Sequence, residues 1–322
     1  MLSVEFIDNQ LKILDQRALP LREEHVFLKS AESVASAIKS MAVRGAPAIG
    51  IAAAYGLALS ENPKADHKLL LSTRPTAIDL KNALDFVAKG KSKSERTKLA
   101  IEWQRLVSGA CRRIAENGAG LLRNCKNILT HCNAGAVATG VEYGTALGVI
   151  KRLKEEGADF FVYVGETRPR FQGAITSWEL HKIGVRHAVI VDSAAGYLIS
   201  SGKVDAIIVG ADRVATNGDF ANKIGTYSLA TIAKTNNVPF YVAAPMSSFD
   251  FSIKSGKEII VEMRSEDEVL EAFGKRIYPA KTSALNPAFD ITPGSLVTAF
   301  ITEKGIFKPW EVGELGRRVQ RC

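Results

Sequence analysis

Between residues 125 and 245 the chain repeats one pattern: a short run rich in β-branched and aromatic residues, then a stretch with helical periodicity. The runs are "NILTHC", "DFFVYVGE", "RHAVIVD", "VDAIIVGAD" and "PFYVAA". Stretches such as "EYGTALGVIKRLKEEG" and "ANKIGTYSLATIAKTN" separate them. Apolar strands alternating with helices specify a parallel sheet covered by helices on both faces. The fold expected is α/β: a Rossmann-like domain over residues 124–322, preceded by a mainly helical domain over residues 1–123 with a short β entry.

In that first part, "SVEFIDNQLKILDQ" holds two β-like runs around Asp8 and Asn9, with Asn9 suited to a turn. "SAESVASAIKSM" places Ser30 as a helix N-cap and Glu32 in the first turn, with Val34, Ala35, Ile38 and Met41 at helical spacing. "TAIDLKNALDFVAKG" and "SERTKLAIEWQRLVSGACRRIAENGAGLL" repeat the helical period. The longest apolar stretches, such as Ala46–Leu59, fall short of the roughly 20 residues a membrane span needs. The start of the chain lacks the basic and apolar regions of a signal peptide, so a cytoplasmic protein without a membrane partner is expected.

Partners follow from charge and cysteine usage. A formal net charge of +8 favours anionic ligands. The densest basic clusters, Lys89 to Lys98 and Gly316 to Arg321, carry no interleaved aromatics and read as solvated surface, not a nucleic-acid face. Cys111, Cys125, Cys132 and Cys322 form no CxxC pair, against a zinc finger or a disulfide framework.

In open α/β sheets, ligands bind beyond the carboxyl ends of the strands. Those ends carry Cys132 and Asn133, Glu166 and Arg168, Asp192 and Ser193, and Asp212 and Arg213. No GxGxxG, P-loop or HExxH string occurs, which removes the main support for nicotinamide, nucleotide-hydrolase and metalloprotease chemistry. His131 is Cys132's only neighbour with ligand chemistry and faces the other way if the strand continues, so no metal is expected. Cys132 is either a packed thiol or one with thiolate character at a helix N-terminus. Asp212 ends an apolar strand, where desolvation makes a carboxyl a usable acid; the competing role is an N-cap or an ion pair with Arg213. Asn222 and Lys223 precede a helix and could hold an anion through its N–H groups and an ammonium. Arg44-Gly45-Ala46-Pro47 lies between two helical stretches, and "STRPTAIDL" and "GETRPRFQGAITSWEL" share a Thr-Arg-Pro signature in which proline pins the chain after arginine.

In chain order "VRGAPAIGIAAAYG", "TRPTAIDL", "CNAGAVAT", "ETRPRFQG", "GADRVATNGDFANKIGTY" and "NPAFDITP" resemble the 5-methylthioribose-1-phosphate isomerases, relatives of the regulatory subunits of initiation factor 2B. The resemblance implies Cys132 and Asp212 as the catalytic pair. It also implies substrate contacts at Arg44, Gly45, Ala46, Arg74, Gln172, Asn222 and Lys223, a phosphorylated sugar as substrate, no cofactor, and a homodimer. Such a substrate carries phosphate on its anomeric oxygen and cannot open unaided, so a protonated Asp212 would donate to the ring oxygen. Transfer of hydrogen from C2 to C1 then runs either as proton abstraction, with Cys132 as base or stabiliser, or as hydride shift. "VEMRSEDEV" departs from the usual Glu-Glu-Arg-Asp-Pro, and its Glu-Met-Arg also resembles the ribose-1,5-bisphosphate isomerases, the alternative reading, against which stand "RGAPAIGIAAAYG" and Arg213 directly after Asp212. A non-catalytic regulatory subunit is a further one, against which stands the retained Cys132 and Asp212.

Overall fold

The computed structural model describes residues 2–74 and 77–319, so Pro75 of the first Thr-Arg-Pro string and Cys322 lie outside the described residues. Strands β1 (Val4–Ile7), β2 (Gln10–Leu14) and β3 (His25–Leu28) form an antiparallel sheet. Asp8 and Asn9 turn the first hairpin with φ of +48° and +55°, the primed-turn geometry that short polar residues tolerate. Helices α1 (Ala31–Lys39), α2 (Ala46–Leu59), α3 (Pro63–Leu71), α4 (Ile78–Val87) and α5 (Lys93–Leu122) follow. Ser30 caps α1 as expected, accepting from the Ser33 N–H. The helical period does not carry the helix to Met41, which takes φ of +65°.

Helix α2 is apolar all round because every residue after Ala46 is buried. α4 and α5 pack on it and, with β1–β3, enclose one apolar core.

The remainder runs β4 (Asn127–Thr130), α6 (Ala136–Thr139), α7 (Ala146–Glu155), β5 (Phe161–Gly165), α8 (Gln172–Lys182), β6 (His187–Ile190), α9 (Ala194–Ser200) and β7 (Ala206–Val209). Then come β8 (Arg213–Ala215), β9 (Phe220–Lys223), α10 (Thr226–Thr235), β10 (Phe240–Ala243), β11 (Phe249–Asp250), α11 (Asp267–Leu270), β12 (Glu271–Ala272) and β13 (Lys275–Arg276). β14 (Phe289–Thr292), β15 (Ala299–Thr302), β16 (Gly305–Phe307) and α12 (Val312–Val319) close the chain. All five expected runs are strands of one seven-stranded sheet, order β16-β15-β10-β7-β4-β5-β6, parallel except at β16.

Alternate residues of these strands enter two separate cores. Ile128, Ile208 and Tyr241 pack with Ile114 of α5 and Leu147 of α7. Leu129, Ile207 and Phe240 pack with Leu198 of α9 and Leu229 of α10. A strand buried on both faces leaves only its end for polar chemistry, which is why the site gathers there. No helix among the described residues is long and apolar enough to cross a membrane.

Candidate active site

One cavity beyond the ends of β4 and β7 is lined by Cys132, Asp212, Arg44, Gly45, Ala46, Arg74, Gln172, Asn222 and Lys223. Each sequence-predicted site residue therefore reaches the same space. Glu166, Arg168, Asp192 and Ser193, also at strand ends, do not line it.

β4 stops at Thr130, whose hydroxyl donates to the Ile208 carbonyl at 2.8 Å. The chain then leaves the extended state: Cys132 has φ of +64°, sparsely populated by non-glycine residues. Its N–H donates to Thr167 Oγ1 at 2.9 Å and its carbonyl accepts from Thr176 Oγ1 at 2.6 Å. Because the strand has ended, His131 is not turned away from the cavity but lines it beside Cys132. Its Nε2 lies 2.9 Å from the Ile224 carbonyl, and burial pushes the imidazole below its ordinary pKa.

Of the two readings open for Cys132, the surroundings favour the thiol over the thiolate. Burial pushes the thiol up, while Lys223, the Asn133 N–H and Arg44 only oppose it and Asp212 adds to it. The N-terminus of α6 is already taken: Glu179 accepts from the Val137 N–H at 3.3 Å and from Asn133 Nδ2 at 2.8 Å. Desolvation outweighs a one-turn helix whose dipole another carboxylate answers.

Asp212 does not pair with Arg213, which turns instead to Asp250. Burial pushes the Asp212 carboxyl up; Lys223 and Arg74 work against the rise, and Glu262 adds to it. A carboxyl whose pKa is raised keeps its proton to higher pH than an ordinary one, the direction an acid needs. Asn222 and Lys223 lie on β9, and the helix N-terminus after them holds no free anion site. The N–H groups of Gly225 and Tyr227 donate to Asp290, at 2.7 and 3.1 Å. Lys223 Nζ donates to the Ala288 carbonyl at 2.9 Å and sits over the Phe289 ring, and Lys223 lines the cavity with no carboxylate ion-pair partner among the described residues.

The opposite wall comes from the helical part. Gly45 caps α2 with φ of +96°, and a Cβ there would lie 2.2 Å from the Ala138 carbonyl, so only glycine lets the two segments meet. α2 has no side-chain cap, and Ala46 at its first turn lines the cavity. Arg44 Nη2 donates to the Gln16 carbonyl at 3.0 Å, and burial with Arg170 nearby brings its pKa down to about 10. Arg74 stands 3.6 Å from Glu262.

Two cations were not anticipated. Arg170 pairs with Glu268 at 2.5 Å, and Arg264 pairs with Glu268 at 2.7 Å and Glu262 at 2.8 Å; both arginines line the cavity. Burial works to raise Glu268, yet Arg264 and Arg170 pull it down to about 2. Arg170 stands two residues before Gln172 in the proline-pinned string, a signal available in the sequence. Arg264 lies in "VEMRSEDEV", where nothing local announces it.

Six buried side-chain polar atoms lack a partner among the described residues, and four of them line this cavity: Nε of Arg44, Arg74 and Arg170, and Oε1 of Gln172. Three of these four are donors, and buried donors without partners are costly, so their gathering on side chains around one space suits an acceptor-rich ligand there. No group of three or more His, Cys, Asp or Glu suited to a metal occurs among the described residues.

Fold and site first define a class: an α/β protein whose parallel strands end at a cation-lined cavity holding a half-buried thiol and a half-buried carboxyl. Within that class the chain belongs to the initiation factor 2 subunit family, which matches residues 42–309. It is 50% identical to a methylthioribose-1-phosphate isomerase of Thermotoga neapolitana, with 95% of each chain covered. It is also 50% identical to one from Aquifex aeolicus, covering 95% of this chain and 68% of that one. Among solved structures, 5-methylthioribose 1-phosphate isomerase from Pyrococcus horikoshii superposes with a TM-score of 0.89 at 39% identity, over 100% of this chain and 96% of that one. A translation initiation factor eIF-2B delta subunit from A. fulgidus superposes with a TM-score of 0.84 at 40% identity, over 97% of each.

Proposed function

We propose that the chain is an aldose–ketose isomerase that converts 5-methylthioribose 1-phosphate to 5-methylthioribulose 1-phosphate in methionine salvage, as a cytoplasmic homodimer. The observation that carries the reading is the gathering of three arginines with unpartnered Nε atoms, Arg44, Arg74 and Arg170, around a cavity also lined by Cys132 and Asp212. An anomeric phosphate supplies the acceptors those donors lack, and guanidinium groups bind it with charge-assisted hydrogen bonds. Residues 1–123 bring Arg44, Gly45, Ala46 and Arg74 to the phosphate, and residues 124–322 bring Gln172, Asn222, Lys223 and the reacting pair.

Asp212 donates its proton to the ring oxygen and opens the sugar. In the C2 to C1 transfer Cys132 acts as base only as the thiolate, after its own proton has passed to solvent or substrate, or, as the neutral thiol, it stabilises by hydrogen bonding the charge that develops. Neither step calls on a metal or redox cofactor. Running the reaction in D2O tests the proton route: deuterium at C1 of the ketose marks proton transfer, and its absence leaves hydride shift or a proton returned without exchange.

The test is direct. Purified protein incubated with methylthioribose 1-phosphate is expected to form the ketose, and no ketose would overturn the reading. Arg170 and its unpartnered Nε favour one second reading, a ribose-1,5-bisphosphate isomerase, because a further buried donor suits a second anionic group. Against it, Arg170 and Arg264 are already engaged by the Glu268 carboxylate they share. Assaying both sugars side by side, with turnover faster on methylthioribose 1-phosphate, decides between them. The initiation-factor reading, suggested by the A. fulgidus likeness, predicts no turnover of either sugar.

A further inference from the structure

Cys132 is held by its backbone, and the hold continues past the cavity wall. Thr167, which accepts the Cys132 N–H, is itself fully buried with φ of +61°, a conformation a β-branched residue adopts only when its surroundings impose it. The same hydroxyl donates to the Gly165 carbonyl at 3.0 Å, leaving its lone pair for Cys132. What imposes the Thr167 turn is Asp192, two residues beyond β6. Its Oδ1 accepts from the Thr167 N–H and its Oδ2 from the Arg168 N–H, each at 2.8 Å. Asp192 does not line the reaction cavity, and its carboxylate is used for these two bonds beside the buried His131 ring, 3.7 Å away.

We propose that Asp192 and Thr167 are positioning residues for Cys132: Asp192 locks the Thr167 turn, and the Thr167 hydroxyl fixes the left-handed bend that aims the thiol into the cavity. The inference rests on the reading of Cys132 as a reacting group. It adds two residues that do not line the cavity and act through the Cys132 peptide, both also lying beside Nδ1 of the cavity-lining His131, at 3.5 and 3.7 Å. The device explains why the chain keeps two non-glycine residues with positive φ, Cys132 and Thr167, in hydrogen-bonding contact: each holds the other's bend.

Three variants test it, Thr167→Val, Thr167→Ser and Asp192→Asn, read by turnover and by the rate at which iodoacetamide alkylates Cys132 in the folded protein, followed by mass spectrometry of its peptide. Thr167→Val keeps the shape and removes the hydroxyl; kcat should fall about tenfold to 100-fold, the scale of a misplaced reacting group, with KM within about twofold. Its Cys132 alkylation rate should change at least about threefold, while Thr167→Ser restores both values to near those of the unaltered protein. Asp192→Asn keeps one acceptor oxygen and should fall between them. A merely structural role would lower thermal stability in Thr167→Val and leave kcat and the alkylation rate alone, and that result overturns the proposal. Should Thr167→Val fail to fold, Asp192→Asn decides on the same two readouts. If the unaltered protein turns over neither sugar, the proposed activity fails while the alkylation rates still decide the positioning.

Discussion

The two walls that carry the reacting pair are built differently. The Cys132 wall is set by conformation: a left-handed residue, its N–H and carbonyl each gripped by a threonine hydroxyl, followed by an α6 N-terminus occupied by Glu179. The Asp212 wall is set by charge. β7 runs through Gly210 and Ala211 into β8, the Asp212 N–H makes an ordinary bond to the Ala221 carbonyl, and the carboxyl, pushed up by burial, is tuned by Lys223, Arg74 and Glu262. The first wall should break when a hydrogen bond of fixed geometry is lost, and the second should shift gradually as neighbouring charges change.

The largest effects come from removing the groups the walls present. Cys132→Ser and Asp212→Asn should each fold, because neither side chain holds the backbone around it, and each should lose at least about 100-fold in kcat. Turnover within about threefold of the unaltered enzyme in either variant would remove that residue from the reacting pair. Arg44→Ala acts on the ligand, not on either wall, and should raise KM about tenfold or more with a smaller change in kcat, as expected for a lost charge-assisted bond. An unchanged KM would make Arg44 only the residue that ties Gln16 to the start of α2.

The same contrast explains what the sequence discloses. Strands buried on both faces are apolar throughout, so all five runs of the main sheet can be read, and the rule that sites sit at strand ends finds Cys132 and Asp212. The bend at Cys132 cannot be read, because its causes, Thr167 and Thr176, lie 35 and 44 residues away. Helix N-termini mislead for a similar reason. Composition marks α6 and α10 as anion sites, but Glu179 and Asp290 arrive from distant elements and occupy them. Arg264 enters the cavity from a segment with little regular structure, and no period announces such a residue.

Behind the Asp212 wall, Asp79 of α4 offers a stability test of the charge argument. Its carboxyl is buried, faces the hydroxyls of Ser247 and Ser248, and senses Asp212 and Glu303; burial pushes it up from 3.8 to about 6. The folded protein therefore keeps a proton where the unfolded chain has lost it. This contribution is fully present near pH 4 and declines as pH rises towards about 6. Asp79→Asn should make the protein more stable at pH 8, by on the order of 1–2 kcal/mol after the weakened hydrogen bonding is allowed for, with the gap closing at pH 4. Denaturant unfolding at the two pH values checks this, and a variant less stable at pH 8 would mean that Asp79 is ionised and paired in the folded state.

The smallest expected effect tests the charge-set wall most directly. Glu262 is half-buried, pairs with Arg74 at 3.6 Å and Arg264 at 2.8 Å, and does not line the cavity, so Glu262→Gln leaves the reacting groups and their backbone in place. Its negative charge helps Asp212 keep its proton, and its pairing with Arg74 mutes a cation that works the other way. Removing it acts twice in one direction, and Asp212 should lose its proton more easily. If Asp212 is the acid, the alkaline limb of kcat/KM against pH should move to lower pH by about a few tenths of a unit, and high salt should shrink the shift. The Thr167→Val variant, which disturbs only the other wall, should leave that limb where it was. A limb that stays fixed in Glu262→Gln, or moves equally in Thr167→Val, would mean that the two walls are not separately controlled.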